Sequence, residues 1–163
     1  MMIGSLQFEG STILRSKSVL VESFDENLAR LVSEMHHTMQ IYGGIGLAAP
    51  QVNIPKRIVI FNFEPLVMIN PEIVETEGKQ TLREGCLSFP QLFLNIERAK
   101  KVIAKWQDVY GDYHSGEFTG LEATAIQHEI DHLDGTLFID HINKMSVMLE
   151  KKKLLNKHKG PKR

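Results

Sequence analysis

The segment from Thr119 to Gly135 combines a helical pattern with residue types that bind metals. Five apolar residues recur there at helical spacing, and they are followed by glycine, which commonly comes after the last turn of a helix. These residues are Leu121, Ala125, Ile126, Ile130 and Leu133. We therefore predict a helix over residues 120–134 that ends at Gly135.

This predicted helix contains an H-E-x-x-H motif, His128-Glu129-Ile130-Asp131-His132. Histidines four residues apart lie one turn apart on the same face of a helix, so two imidazoles can converge on one cation while Glu129 projects beside them. A motif this short also arises by chance. In that case His128 and His132 are ordinary polar residues on a partly exposed helix.

A catalytic metal ion needs a third protein ligand and an open position for water. Four downstream residues could supply that ligand, but none falls at the spacing that metzincin proteases use. They are Asp134, Asp140, His141 and His158. Cys86, in Glu84-Gly85-Cys86-Leu87-Ser88, is the better candidate. As the only cysteine it cannot form an intramolecular disulfide, and the alternative to metal binding is a small buried core residue.

Two further helices are predicted, one on each side of the middle of the chain. The first begins at Asp25, a residue type that caps helix N-termini, and ends at Gly43-Gly44. Its apolar face comprises Leu28, Leu31, Val32, Met35 and Met39. The last helix is predicted over about residues 142–155, before the break at Gly160-Pro161.

Strands are predicted in the middle of the chain. Residues 57–63 and 66–69 are rich in β-branched and apolar side chains, and Asn70-Pro71 is predicted to stop the second strand. Another strand is predicted over 101–106, and the turn residues at 110–113 lead to a further one.

The composition of the 163 residues limits the classes of function. Hydrophobic residues make up 42% of the chain and charged residues 24%, and no apolar run approaches the roughly 20 residues of a membrane-spanning helix. The first ten residues lack the features of a secretory or transit peptide, so we expect a cytoplasmic protein that does not cross a membrane. The net charge of −1 argues against a polyanion-binding protein. The basic residues of 151–163 form either a solvated tail or a contact for an anionic surface.

Three segments, taken in order, resemble the motifs of the peptide deformylase family. They are G-I-G-L-A-A-P-Q at 44–51, E-G-C-L-S at 84–88 and Q-H-E-I-D-H-L-D-G at 127–135. The resemblance covers most of the chain. It implies a single α+β catalytic domain over 1–163, with a basic tail at 151–163 that frays. In this fold, antiparallel or mixed β-sheets pack around a central metal-binding H-E-x-x-H helix, with helices near both termini.

The resemblance also implies an activity, the removal of the N-formyl group from the formyl-methionine of nascent polypeptides. Cys86, His128 and His132 would bind one divalent cation, natively iron(II), with zinc, nickel or cobalt as substitutes. The cation would generate a hydroxide that attacks the formyl carbon. Glu129 would act as general base and then as general acid, while the Gln51 amide and the Leu87 backbone N–H stabilise the oxyanion.

Six further positions match residues that contact the substrate or line the methionine pocket in the family. They are Ile45, Gly46, Leu82, Glu84, Leu121 and Ala125. For Leu121 and Ala125 the alternative is core packing, and Asp131 is expected to face solvent. The expected partners are N-formyl-methionyl peptides and, through the basic C-terminal end, the ribosome. We expect a monomer.

The chain departs from the usual family pattern at Gly43, Arg83, Gln91 and Glu122. None of these residues is a ligand or Glu129, so we expect the chemistry to be retained. Glu84 and Arg98 are expected to pair behind the site, although the absence of an acid at position 43 leaves Arg98 with fewer partners.

Two other functions remain open on the sequence. An H-E-x-x-H endopeptidase would share the metal and the glutamate but take its third ligand downstream and not depend on Cys86. A non-catalytic module associated with the ribosome or RNA would depend on residues 151–163 and not on Glu129.

Overall fold

A computed structural model describes residues 5–157. Its three α-helices are α1 (Glu26–Tyr42), α2 (Gly120–Leu133) and α3 (Lys144–Lys157), and short 3-10 helices cover Thr12–Arg15, Ala49–Val52 and Phe138–His141. All three predicted helices are confirmed to within about two residues. Residues 158–163 of the predicted tail, His158 among them, lie outside the described residues.

Within residues 5–157, seven strands form two antiparallel sheets. They are β1 (Gly46–Ala48), β2 (Ile58–Phe61), β3 (Leu66–Glu77), β4 (Gln80–Cys86), β5 (Phe89–Arg98), β6 (Lys101–Gln107) and β7 (Tyr113–Thr119). The larger sheet has the order β1-β2-β3-β6-β7, and β4 and β5 form a separate hairpin. All pairings between these strands are antiparallel. The fold is therefore of the α+β class.

The larger sheet is covered by a helix on each face. Strand β2 is buried along its whole length, because successive side chains point to opposite faces of a sheet. Ile58 and Ile60 pack with the apolar face of α1, whereas Val59 and Phe61 pack with the apolar face of α2. Two apolar cores result, and α2 lies between the sheet and the β4–β5 hairpin.

The predicted strand stop at Asn70-Pro71 is wrong, since β3 continues to Glu77. Asn70 adopts a positive φ of 52°, and the register shifts between Ile69 and Glu72 where β3 pairs with β6. The Asn70 side chain bonds to the backbone N–H and C=O of Val21 and to Gln107. These bonds stabilise a β-bulge, which bends the strand without ending it.

The β4–β5 hairpin was not predicted, although β5 carries a signal for it. Leu92, Leu94, Ile96 and Arg98 are buried at every second position while the residues between them are exposed, which is the period of a half-buried strand. The three apolar side chains pack with Phe138 and with α3 in a third core.

Gly135 adopts a φ of +73°, and a Cβ placed on it would lie only 2.6 Å from the Arg15 carbonyl oxygen. Helix α2 ends just before it, at Leu133, with Asp134 as the capping residue. Glycine is thus required at this position by both the backbone angle and the close approach.

In residues 5–157, no helix is both long and apolar enough to span a membrane.

Candidate active site

Cys86, His128 and His132 converge where the end of β4 faces α2. One ligand atom from each lies within 4.8 Å of the other two, and Cys86 Sγ is 3.2 Å from His132 Nε2. Both imidazoles are buried, and their ring centroids are 5.1 Å apart. Their spacing on α2 and the strand that ends at Cys86 thus bring together the three predicted ligands.

Glu84 holds the ring of His128. Its Oε2 accepts a hydrogen bond from His128 Nδ1 at 2.8 Å. Arg98 forms a two-pronged contact with the same carboxylate, from Nε at 2.6 Å and from Nη2 at 3.0 Å. The predicted pair of Glu84 and Arg98 is therefore confirmed. Burial opposes the ionisation of Glu84, but the bonds from His128 and Arg98 lower its pKa below the usual range.

Glu129 is buried beside the two histidines. A Cβ at Gly46 would lie 2.6 Å from Glu129 Oε1, so only glycine leaves room for this carboxylate. Burial raises the pKa of Glu129 to about 7. A carboxyl group with such a pKa can take up and release a proton near neutral pH.

Gln51 lies in the short helix after β1 and is buried. Its Oε1 accepts a hydrogen bond from the Ala48 backbone N–H at 2.9 Å. The Nε2 end therefore points the other way, 3.2 Å from Ser88 Oγ and 3.6 Å from Cys86 Sγ. Leu87 directly follows Cys86, in the turn between β4 and β5. An amide donor and a backbone segment thus stand next to the cysteine.

A cleft of approximately 700 Å³ opens onto these groups. All six residues that were predicted to contact the substrate line it, together with Gln51, Cys86, Leu87, His128 and Glu129. Leu121 is 57% exposed, so the alternative of core packing is wrong for this residue. Ala125 lines the cleft and also packs against the core beneath α2. The lining is mostly apolar.

Some residues of the cleft and its surroundings were missed by the sequence analysis. Leu6 and Phe8, from the N-terminal segment, also line the cleft. Their segment is fixed by backbone bonds from Gln7 to Gln51 and from Glu9 to Ser88. No local pattern in the sequence indicates this contact, because it joins segments far apart in the chain.

The expectation that Asp131 faces solvent is wrong. Its Oδ2 lies 2.7 Å from Arg98 Nη1 and 2.7 Å from His141 Nε2. Burial opposes ionisation here too, but the bond from His141 and the charge of Arg98 lower the pKa of Asp131. Arg98 therefore has two carboxylate partners despite Gly43.

Three of the four downstream candidates for a third ligand are engaged elsewhere. Asp134 pairs with Arg57 and Asp140 with Arg15, while His141 bonds to Asp131. Within residues 5–157, the group formed by Cys86, His128 and His132 is the only one whose ligand atoms are arranged to hold a metal ion.

The donor set suits a divalent transition metal. One thiolate and two imidazoles are accepted by iron(II), zinc, nickel and cobalt alike. Since Nδ1 of His128 bonds to Glu84, Nε2 is the nitrogen left for a cation. Among the described residues, Glu129 Oε2 is buried without a hydrogen-bond partner. This unpaired carboxylate oxygen is therefore available to accept a hydrogen bond from a water molecule beside a bound cation.

Comparisons with known proteins identify similar chains. The family model for polypeptide deformylase matches residues 6–148. A peptide deformylase of Zymomonas mobilis is 44% identical over 158 residues, which cover 90% of this chain and 89% of that one. The crystal structure of a peptide deformylase from Legionella pneumophila has a TM-score of 0.89 at 34% identity and covers 99% of both chains. A peptide deformylase from Synechococcus elongatus, solved with actinonin, has a TM-score of 0.89 at 37% identity, covering 94% of this chain and 86% of that one.

Proposed function

Because this chain belongs to the peptide deformylase family, we propose that it removes the N-formyl group from formyl-methionine at the start of nascent polypeptides. It is a metal-dependent hydrolase. The observation that carries the proposal is the convergence of Cys86, His128 and His132 next to an apolar cleft that Cys86 and His128 line. Such a cleft suits the side chain of methionine and leaves the peptide beyond it in solvent.

One divalent cation would be held by Cys86, His128 and His132. Helix α2, which carries both histidines, would then be the central metal-binding helix of the fold. We propose iron(II) as the native cation, with zinc, nickel or cobalt as substitutes. When bound, the cation supplies an activated water and polarises the formyl carbonyl.

Glu129 would move the proton during hydrolysis. It accepts a proton from the attacking water and delivers it to the departing amine, a role for which its pKa of about 7 suits it. Negative charge develops on the formyl oxygen during the attack. Gln51 Nε2 and the Leu87 backbone N–H would stabilise this charge, and donors of this kind contribute about 3 kcal/mol each.

The substrate would lie along the edge of the larger sheet. Strand β1 is the terminal strand of that sheet, and Ile45 and Gly46 are at its start. An extended peptide can add to such an edge by backbone hydrogen bonds. The methionine side chain would then contact Leu82, Leu121 and Ala125, with Glu84 behind them holding His128.

We propose one catalytic domain over residues 1–163, acting as a monomer in the cytoplasm. The basic residues of 151–163 would contact the ribosome near emerging chains. In α3, Lys151 already pairs with Glu9 and Lys153 with Glu150, so Lys152 and Lys157 are better suited to that contact.

The activity is tested on protein purified without oxygen. Metal analysis and hydrolysis of formyl-Met-Ala-Ser are measured on the same sample. We expect activity that is lost in air and restored by nickel or cobalt. If none of these metals gives deformylation, the proposal is wrong. We also expect actinonin, which the Synechococcus relative binds, to inhibit the reaction.

Matched variants separate the two alternative functions. Cys86→Ala should lose bound metal, whereas an endopeptidase with a downstream ligand would keep it. Glu129→Ala should keep metal but lose hydrolysis, and deletion of 151–163 should leave peptide hydrolysis intact. A non-catalytic module would instead depend on 151–163 in cells and tolerate Glu129→Ala. High salt should release the ribosome contact if it is electrostatic.

A further inference from the structure

A chain of hydrogen bonds leads from the protein surface to one of the proposed metal ligands. It starts at His141 in the short helix after α2 and passes through Asp131, Arg98 and Glu84 to His128. The successive contacts, each from a nitrogen to a carboxylate oxygen, measure 2.7, 2.7, 2.6 and 2.8 Å. The side chain of His141 is 32% exposed and that of Arg98 only 3%. The chain therefore begins in solvent and ends in the interior.

Donors and acceptors alternate along this chain. Asp131 Oδ2 accepts from Arg98 Nη1, and a carboxylate at neutral pH can only accept, so His141 Nε2 must carry the hydrogen that points at the same oxygen. The 3.5 Å approach of His141 Nε2 to Arg98 Nη1 then joins two donors and is not a hydrogen bond. At the other end, Glu84 Oε2 accepts from both Arg98 Nη2 and His128 Nδ1.

The geometry gives each member a definite effect on the next. Asp131 is held between two donors, so it cannot turn away from Arg98. The guanidinium of Arg98 is rigid and planar. The contact that holds its Nη1 at Asp131 therefore also orients Nε and Nη2, which bind Glu84. Glu84 in turn sets the plane of the His128 ring and keeps its proton on Nδ1, which leaves Nε2 for a cation.

We propose that His141 is a positioning residue for the metal centre, acting through Asp131, Arg98 and Glu84 on the orientation of His128. This inference rests on the metal site of the proposed function. The residues come from four separate elements, β4, β5, α2 and the 3-10 helix at Phe138–His141. The chain thus ties the ligand-bearing face of α2 to the hairpin and to the segment that follows α2.

A second histidine–aspartate pair, His114 and Asp108, serves as a matched control for the contact between His141 and Asp131. His114 Nε2 lies 2.8 Å from Asp108 Oδ2, and the two side chains are 44% and 28% exposed. This contact resembles the one between His141 and Asp131 in type, length and exposure. Asp108 otherwise accepts from the backbone of Tyr110 and Asp112, and within the described residues its bonds do not lead to a ligand.

The test measures cobalt(II) binding by the full chain, using competition with a chelator for the dissociation constant and the visible absorption bands for ligand geometry. Loss of a group that bonds directly to a metal ligand typically weakens metal binding by about 10- to 100-fold. His141 acts through three intervening side chains, so we expect His141→Ala to weaken binding by roughly 3- to 10-fold and to shift the bands. His141→Gln keeps an N–H donor of similar reach and should restore both properties. His114→Ala should match the parent.

A purely structural role for His141 would lower the thermal stability of the metal-free protein without changing the cobalt spectrum. An unchanged dissociation constant and spectrum in His141→Ala would overturn the inference, as would failure of His141→Gln to restore them or an equal loss in His114→Ala. If His141→Ala does not fold, His141→Leu removes the donor at similar volume. The proposed function is tested separately by the parent. A parent that binds no cobalt would contradict both proposals, whereas one that binds cobalt but hydrolyses no formyl peptide would contradict the proposed function alone.

Discussion

A carboxyl group accepts a proton only while it is ionised, and burial raises the pKa of Glu129 to about 7 in the metal-free protein. A nearby divalent cation favours the ionised form and so lowers this pKa. We therefore expect kcat/KM for a formyl peptide to approach a constant value about one pH unit above that lowered pKa. It should fall on the acid side with unit slope and a midpoint below 7.

Bound metal must be measured at each pH, because metal affinity itself depends on pH. A midpoint above pH 7 at constant metal content would contradict the assignment of Glu129 as the base. The matched variant Glu129→Gln cannot ionise, so it should lose most of kcat and show no acid limb in its residual activity.

Gly46 is required by the closeness of Glu129. A Cβ there would lie 2.6 Å from Oε1 and 2.9 Å from Cγ of Glu129, and atoms that close must move apart. We expect Gly46→Ala to displace the carboxylate and reduce kcat/KM by roughly 10- to 100-fold, with metal content unchanged. Gly116→Ala also adds a methyl group to a strand, where the nearest atoms are 3.1 Å away, and should leave the activity near that of the parent. Full activity of Gly46→Ala would show that Glu129 tolerates the shift.

At the scale of elements, the sequence predicts an element well when the residues that indicate it lie within or directly beside that element. Asp25 is the N-cap of α1, accepting from Leu28 N–H at 3.0 Å, and Gly43 ends the helix with a φ of 67°. Both signals stand in the sequence beside the helix. The histidine pair on α2 is likewise fixed by helical spacing alone. For these elements, sequence and structure agree.

Contacts between distant segments could not be predicted in the same way. The position of Cys86 beside α2 depends on the β4–β5 hairpin, and the partners of Asp131 come from β5 and from the segment after α2. The sequence offered Cys86 as the better candidate for the third ligand, but only the family resemblance implied the complete ligand set. At Asn70-Pro71 the local sequence predicted the end of a strand, but the strand continues. The side-chain bonds of Asn70 to Val21 and Gln107 hold the backbone in a bulge instead.

The bulge in β3 gives a prediction about stability. Asn70→Ala removes three side-chain hydrogen bonds and leaves a residue with a Cβ at a φ of 52°, so we expect a loss of about 2–4 kcal/mol in the free energy of unfolding. Asn70→Gly relieves the backbone strain and should lose about 1 kcal/mol less. Urea denaturation of the metal-free protein measures both.

Asn53 provides the control, since it has a similar φ of 65° but is exposed and makes no side-chain hydrogen bond to another described residue. Asn53→Ala should cost only the strain, about 1 kcal/mol. Equal losses at positions 53 and 70 would mean that the Asn70 side-chain bonds do not stabilise the bulge.

At the scale of the whole molecule, the proposed metal ligands belong to parts of the fold with separate cores. Helix α2 packs on the core of the larger sheet, while Cys86 packs against the core of the hairpin and α3. A cation held by Cys86, His128 and His132 would therefore join the two. Since its ligands come together only in the folded chain, binding must favour the folded state.

Metal removal should thus lower the stability of the entire chain. A cation present at 100 times its dissociation constant adds about 2.7 kcal/mol, which corresponds to a rise in Tm of roughly 5–10 °C for a chain of this size. We expect this rise when nickel is added to the metal-free parent, measured by thermal unfolding at fixed pH. Cys86→Ala should show a much smaller rise, and His114→Ala the full one. If Cys86→Ala were stabilised as much as the parent, the thiolate would not be a ligand, and the cation would not join the hairpin to α2.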